Sequence, residues 1–568
     1  MRDERAKMYD YSYMMNGWMQ NTHKISSWCR CAAAGTLVAF SLAACAPTTA
    51  LHDNGANNTR TSNLDDFAYG VLQATIREGL KNITQRYIEP IEMHTLAISG
   101  MRGIATIDPS LNLKIRALGT KIELLQGETS LKHFVTPKTN DPTAWAHLAS
   151  EVIRTARAQS VDMSHSDNER IFEAVFDGMM SNLDIFSRYA GGDEARSHRA
   201  QRDGFGGIGI SFTKAKDGFL VTHISPKSPA HRAGLKPGDL IVQIEEMPIT
   251  TRSQFGLKNL LHGPVGSLIS ITIERLPSVQ GKNVRRISYN LERSHIVPQT
   301  VHTSVNHKIL TVRITSFNKN TSTSVHSALS AHEADFSNGT LIGVILDLRG
   351  NPGGLLSQSI NVADFFLEKG TIISTRGRHS DSVHDYQAGS LDLTHGKPLV
   401  VLLDGNSASA AEVVASALQD LGRAALIGST SYGKGTVQTV VRLPNDGEIT
   451  LTWSRLISPT GYALHGLGVM PSVCATNAVQ TVGESLPDAI LTPLHIKTQR
   501  EAMTGWWATG QVFDDQRRKL RDDCPAKVFE STPSSDLLLQ LAERVLGNPA
   551  LYQHAVLKPN AVNTASRQ

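Results

Sequence analysis

At 568 residues the chain is too long for one hydrophobic core and calls for three or four domains. Its 40% hydrophobic and 19% charged residues are ordinary for a soluble globular protein. A formal net charge of +4 is small for this length, and no basic stripe interleaved with aromatics appears, which argues against nucleic acid as a partner.

The N-terminus reads as a targeting segment. Lys24 and Arg30 precede a short apolar run, Ala32–Ala44, suited to a signal h-region and too short to span a membrane. The run ends Leu42-Ala43-Ala44-Cys45, which resembles the lipobox of bacterial lipoproteins, so residues 1–45 are expected to be a signal segment with Cys45 lipidated. An ordinary secretory signal cleaved nearby is the alternative, and translation starting at an internal methionine such as Met19 fits the long leader. Either way the chain is expected in the bacterial cell envelope, as a periplasm-facing lipoprotein or a secreted or periplasmic protein. After removal of Cys29 and Cys31 and lipidation of Cys45, only Cys474 and Cys524 remain, and an oxidising compartment permits a disulfide between them. No Cys/His spacing suggests zinc, and no metal or other cofactor is called for.

Residues 46–63 are polar and read as a flexible tether. A helical region follows over 64–203, opening with Phe67, Val71, Leu72, Ile76 and Leu80 at helical spacing; its stretch 108–163 has no assignable role. Residues 204–293 resemble a PDZ domain and its following strand, with Gly206, Gly207, Ile208, Gly209 and Ile210 as the carboxylate-binding loop and second strand, and Ser228–Asp239 as the middle helix and turn. Such a loop holds a terminal carboxylate on successive backbone amides, while the sheet edge takes the peptide as an added strand. From 294 to 475 strand and helix alternate: strands at Leu310–Ile314 and Leu341–Leu348, helices at Ser324–Phe336 and Leu355–Phe366. This implies an α/β sheet. The remainder, 476–568, is a C-terminal extension with an amphipathic helix at Ser535–Leu546 and a frayed tail from Gly547.

One stretch concentrates the chemistry. Pro398–Asp404 reads as a buried strand and Ala410–Leu421 as a helix, which places Ser409 at the strand-to-helix turn. A second strand, Ala424–Gly428, leads to Lys434 between two glycines. A serine there is by itself an N-cap and such a lysine a solvated loop cation. The sequence Gly428–Lys434 nearly spells a P-loop, but Gly435 stands where the magnesium-binding hydroxyl would be and a strand follows, so nucleotide binding is set aside.

The phrases around both residues decide the reading. Asn406–Glu412 (NSASAAE), Leu418–Arg423 (LQDLGR) and Ile427–Gln438 (IGSTSYGKGTVQ) resemble, in order and spacing, the core of the C-terminal processing peptidases; Asp347–Leu356 (DLRGNPGGLL) and Leu451–Pro471 match further family segments. The N-terminal helices at Tyr87–Pro90 and Glu169–Tyr189 are also similar, with Ile185-Phe186 replacing the family's Pro-His.

This resemblance implies a multidomain α/β protein with a crotonase-like peptidase core, acting as a serine endopeptidase. Ser409 would be the nucleophile, Lys434 the general base, Gln438 the residue that orients the lysine, and the amides of Gly353 and Ala410 the oxyanion hole. Ser407 is the competing nucleophile and His465 a competing base. Implied partners are proteins or peptides with apolar C-termini and the membrane through an N-terminal lipid. An accessory activator is left open. The alternative from another class is a non-proteolytic PDZ-bearing adaptor or scaffold that has kept the fold.

Overall fold

The computed structural model describes residues 58–249, 254–276, 283–476, 501, 503–510, 518–529 and 536–557. The signal segment, Cys45 and most of the expected tether lie outside them. Helix begins at Asn58, inside the end of that tether.

Four helices supply the core of the first part: α1 (Asn58–Arg86), α2 (Met93–Arg102), α3 (Pro142–Gln159) and α4 (Asn168–Met180). The expected stripe on α1 is confirmed at Leu72, Ile76 and Leu80, which are buried against Leu96, Val152 and Phe176 in one core. The region is not all helical. Between α2 and α3 an antiparallel sheet of β1 (Leu111–Arg116), β2 (Lys121–Gln126) and β3 (Thr129–Val135) occupies part of the stretch that had no role. Leu111, Leu113, Ile122, Leu124 and Phe134 turn its inner face into the helical core.

After α4 the chain turns tightly at Asp184, whose Oδ1 accepts from the N–H groups of Phe186 and Ser187 (3.1 and 2.9 Å). It then enters β4 (Arg188–Ala190). The PDZ-like body follows, with strands β5 (Ile210–Ala215), β6 (Gly218–Ile224), β7 (Leu240–Ile244), β8 (Leu268–Arg275) and β9 (Arg285–Glu292), ordered β9-β8-β7-β6-β5. Helix α5 (Gln254–Leu261) shares its apolar core. Strand β5 is the sheet's open edge, the place where an extended peptide can add.

The last part is built on two sheets. The first has order β10-β11-β12-β15-β16-β19: β10 (Val301–Asn306), β11 (Ile309–Ile314), β12 (Gly343–Asp347), β15 (Leu399–Leu403), β16 (Ala425–Gly428) and β19 (Val473–Cys474), all parallel except β10. The second contains β13 (Thr371–Gly377), β14 (His384–Gln387), β17 (Thr436–Arg442) and β18 (Glu448–Ile457), with β4 added against β18. Helices α6 (Thr321–Ser330), α7 (Leu356–Asp364) and α8 (Ala410–Asp420) supply apolar residues to the large core beside the first sheet. The helix expected over Ser324–Phe336 starts three residues earlier and breaks after Ser330; Glu333–Ser337 is a separate short helix. Since β15 is buried along its whole length, its apolar run carries no alternation.

The C-terminal extension belongs to this body. Helix α9 (Leu537–Leu546) packs Leu538, Leu541 and Val545 onto Ile345, Val400, Leu402 and Ile427, on a separate cluster from the main core. The first part of the expected frayed tail instead forms α10 (Pro549–Ala555), capped by Asn548, and Tyr552 Oη donates to Arg423 O at 3.1 Å; the rest of that tail, 558–568, lies outside the described residues. Asp536, the N-cap of α9, and Asp347 share the buried Arg349 guanidinium through four contacts of 2.8 Å. Removing one partner of a buried ion group strands the others. Arg349→Ala is therefore expected to destabilise the fold by about 3–5 kcal/mol, measured by urea unfolding.

Candidate active site

The turn between β15 and α8 is fixed before its serine is reached. Asp404 Oδ1 accepts from the N–H groups of Gly350 and Asn406 (both 3.0 Å), and Ala408 N–H donates to Asn351 O (2.9 Å). Ser407 is absorbed by this winding: buried, it accepts from Asp404 N–H (3.0 Å) and donates to Leu348 O (2.9 Å). It holds the loop and presents no free hydroxyl.

Ser409 differs in every respect. It is half-buried, with φ 53° and ψ −112°, a backbone state that costs a non-glycine residue on the order of 1–3 kcal/mol. Strain of this kind at a strand-to-helix turn is how a nucleophile is thrust out of a loop. Gly353 lies against the turn: a Cβ there would come within 2.8 Å of Ser409 Cβ and 3.0 Å of Ala410 N, so this position admits only glycine. Its N–H donates to Asn351 Oδ1 (2.8 Å) in this structure. Ala410 opens α8, where N–H groups lack intrahelical acceptors.

The lysine turn is tied directly to the serine turn. Glu412, fully buried in the first turn of α8, accepts from Ser409 N–H at 2.7 Å through Oε2, and from Ser431 Oγ (2.5 Å) and Gly433 N–H (2.7 Å) through Oε1. Tyr432 N–H adds a bond to Ser407 O (2.9 Å). Burial pushes the Glu412 carboxyl above its ordinary value, against the pull of these hydrogen bonds. One side chain thus clamps the two loops that carry Ser409 and Lys434.

Lys434 emerges from this turn into a half-buried position with its Nζ 5.2 Å from the Phe186 ring centroid. Burial, followed by the Arg188 guanidinium, pulls its pKa below the ordinary lysine value, against Glu412 and Asp184. No hydrogen bond joins Lys434 to Ser409 in this structure; bonds of this kind often tighten only around a substrate. Gln438 is not bonded to the lysine either: its Nε2 donates to Thr436 Oγ1 (2.9 Å) and Thr452 Oγ1 (3.3 Å). His465 packs edge-on against Phe186 with centroids 6.0 Å apart.

In the PDZ-like body, Phe205–Gly207 forms a short strand against Ser294–Ile296, and Gly206 O accepts from Gly263 N–H (3.0 Å). Gly209 has φ 78° and lies where a Cβ would meet Ser228 Cβ at 2.3 Å. Ile208 is buried in the body's core and Ile210 begins the edge strand β5. The five residues therefore run from a short strand through the bend at Ile208-Gly209 into an edge strand.

Residues 308–474 match the profile of Peptidase family S41 and residues 206–290 that of the PDZ domain. A carboxy-terminal-processing protease of Bartonella bacilliformis is 35% identical over 339 residues, covering 59% of this chain and 76% of that protein. The chain belongs to the carboxy-terminal-processing serine proteases of family S41. Another such protease, the carboxy-terminal processing protease CtpA of Bacillus subtilis, is 29% identical over 55% of this chain and 65% of its own. Among solved structures, the photosystem II D1 C-terminal processing protease is 23% identical and aligns with 66% of this chain and 92% of its own, with a TM-score of 0.33. Phe186, in the turn opened by Asp184, is the ring facing Lys434.

Sequence reasoning missed Glu412, Phe186, Arg188 and Asn351. Glu412 carried a local signal, since Ser409-Ala410-Ala411-Glu412 has the spacing of a capping box. The aromatic and the arginine did not, because more than two hundred residues separate them from Lys434.

Proposed function

We propose that the chain is an exported serine endopeptidase that cuts protein substrates through a Ser409–Lys434 dyad. The observation that carries this reading is the Glu412 clamp, which holds a strained, half-exposed serine and a half-buried lysine on adjoining loops. Neutral Lys434 takes the Ser409 Oγ proton as Oγ attacks the scissile carbonyl carbon. The developing oxyanion is met by Ala410 N–H and an amide of the Gly353–Gly354 loop; for Gly353 to serve, its bond to Asn351 must open. On collapse the leaving amine takes the proton from the Lys434 ammonium, and water, deprotonated by the same lysine, then releases the acyl group from Ser409. A non-proteolytic scaffold has no physical use for a strained serine clamped to a lysine of lowered pKa.

The PDZ-like groove is proposed to select the substrate's apolar C-terminus. The test is one unstructured substrate with a free or an amidated C-terminus. Amidation is expected to lower kcat/KM about tenfold, a loss on the order of 1.4 kcal/mol; equal cleavage would remove the carboxylate from recognition. Export and a lipid anchor at Cys45 rest on the leader sequence, and the disulfide between Cys474 and Cys524 fits an oxidising compartment.

The Phe186 ring favours the lysine's ammonium form. Phe186→Leu keeps the position apolar but removes this attraction, so the Lys434 pKa falls further. The rising limb of kcat/KM against pH is expected to move down by about 0.5–1 unit. A limb that stays in place would show that the ring does not tune the base.

A further inference from the structure

The C-terminal extension reaches the lysine turn as well as the back of the sheet. Arg521 forks across three carbonyls: Nη2 donates to Ser431 O (2.9 Å), and Nη1 to Tyr432 O (3.1 Å) and Gly466 O (3.3 Å). Two of these belong to the residues just before Gly433-Lys434, and a Cβ on Gly433 would come within 2.9 Å of Nη1. The neighbouring residues continue the contact. Thr430 Oγ1 donates to Cys524 O, Ser429 Oγ to Lys527 O (2.8 Å), and Gly405 N–H to the same Lys527 O (2.9 Å). Residues 520–527 therefore touch the base turn and the start of the nucleophile loop together.

This segment has a covalent anchor. Cys524 is fully buried and disulfide-bonded to Cys474 at the end of β19. Strand β19 pairs with β16, and β16 runs directly into the lysine turn. The strands, the residues just before Lys434, Arg521 and the disulfide close a ring beside the lysine turn. A planar guanidinium suits the task, because its fixed fork satisfies several carbonyls at once where an ammonium is a single point.

We propose that Arg521 is a positioning residue for Lys434, and that the Cys474–Cys524 disulfide acts on catalysis by holding Arg521 in place. The proposal rests on the Ser409–Lys434 reading. Without the guanidinium the Ser431 and Tyr432 carbonyls lose this donor, their peptide planes keep the N–H bonds to Ser407 O and Glu412, and the lysine two or three residues on loses part of its aim. Misplacement of about 1 Å can cost roughly a hundredfold in rate.

The test compares Arg521→Ala, Arg521→Lys, the Cys474→Ser/Cys524→Ser pair, and their combination with Arg521→Ala, all in the full chain. Circular dichroism fixes a temperature at which each is folded. Arg521→Ala is expected to lower kcat at least about tenfold with KM within a factor of about two, and Arg521→Lys to recover part of it. The cysteine pair is expected to lower kcat in the same way, and its combination with Arg521→Ala to be little worse than Arg521→Ala alone. A folded Arg521→Ala enzyme with wild-type kcat, or a loss wholly in KM, overturns the positioning role. Should that variant not fold, wild-type kcat in the cysteine pair overturns the role of the disulfide, and wild-type kcat in Arg521→Lys overturns the need for the fork. Fully multiplicative losses show that the disulfide does not act through Arg521. Lys434→Ala is run beside them: if it cleaves like wild type, the dyad reading itself falls, whatever Arg521 does.

Discussion

Lys434→Ala is expected to lower kcat by about three orders of magnitude or more while leaving substrate binding near wild type. The reasoning runs from charge. An ordinary lysine, with a pKa of about 10.4, is almost wholly protonated at neutral pH and cannot accept the Ser409 proton. Here burial and Arg188 lower the pKa, so a larger share is neutral. Because the active form is the deprotonated one, kcat/KM rises with pH through the lysine's pKa and levels off above it. That limb is expected below the position of a free lysine and should vanish from whatever activity Lys434→Ala retains. Steady-state kinetics across pH check both points. An unchanged limb in the variant would assign it to another group, with His465 the next residue to replace.

Ser409→Ala is expected to be inert, with a loss of roughly four to six orders of magnitude, and to fold as the wild type does. The side-chain oxygen is lost, but the N–H that donates to Glu412 belongs to the backbone and is kept. The strained φ is no worse for alanine than for serine, so stability should change by less than about 1 kcal/mol. Ser407→Ala is the informative contrast. It removes a buried hydroxyl bonded to Leu348 O and Asp404 N–H, and is expected to cost about 1–3 kcal/mol in stability while the folded enzyme still cleaves. Unfolding curves and kcat, measured on both variants, separate the nucleophile from its support. Activity in Ser409→Ala with none in folded Ser407→Ala would exchange the two roles.

The parts of this architecture that were legible in the sequence are those written locally. The buried run Leu399–Leu403, the helical spacing of Val413, Val414, Ala417 and Leu418, and the glycines flanking Lys434 place the two turns without any knowledge of the fold. The sheet at residues 111–135 had a weaker trace, Leu111, Leu113 and Ile115 alternating with polar residues, although Ile115 stays largely exposed. At helix α10 the terminal position suggests fraying, yet Asn548 followed by Pro549 is a helix-start signal. What no local pattern could give is the meeting of distant segments. Phe186 faces Lys434 because β4 joins the second sheet beside β18, and Arg521 reaches the same turn because the chain returns from the far end. The Gly353 amide was expected in the oxyanion hole, and only the structure shows it bonded to Asn351.

The central claim is that Ser409 carries the acyl group and Lys434 moves its proton. It is tested most directly by acid-quenching the enzyme during turnover of an activated acyl ester in EDTA, then mapping the acyl group by peptide mass spectrometry. The account predicts acylation on the peptide containing Ser409 in the wild type, and slow or absent acylation in Lys434→Ala. Acyl groups on another residue, or steady EDTA-sensitive turnover with none on Ser409, would contradict it.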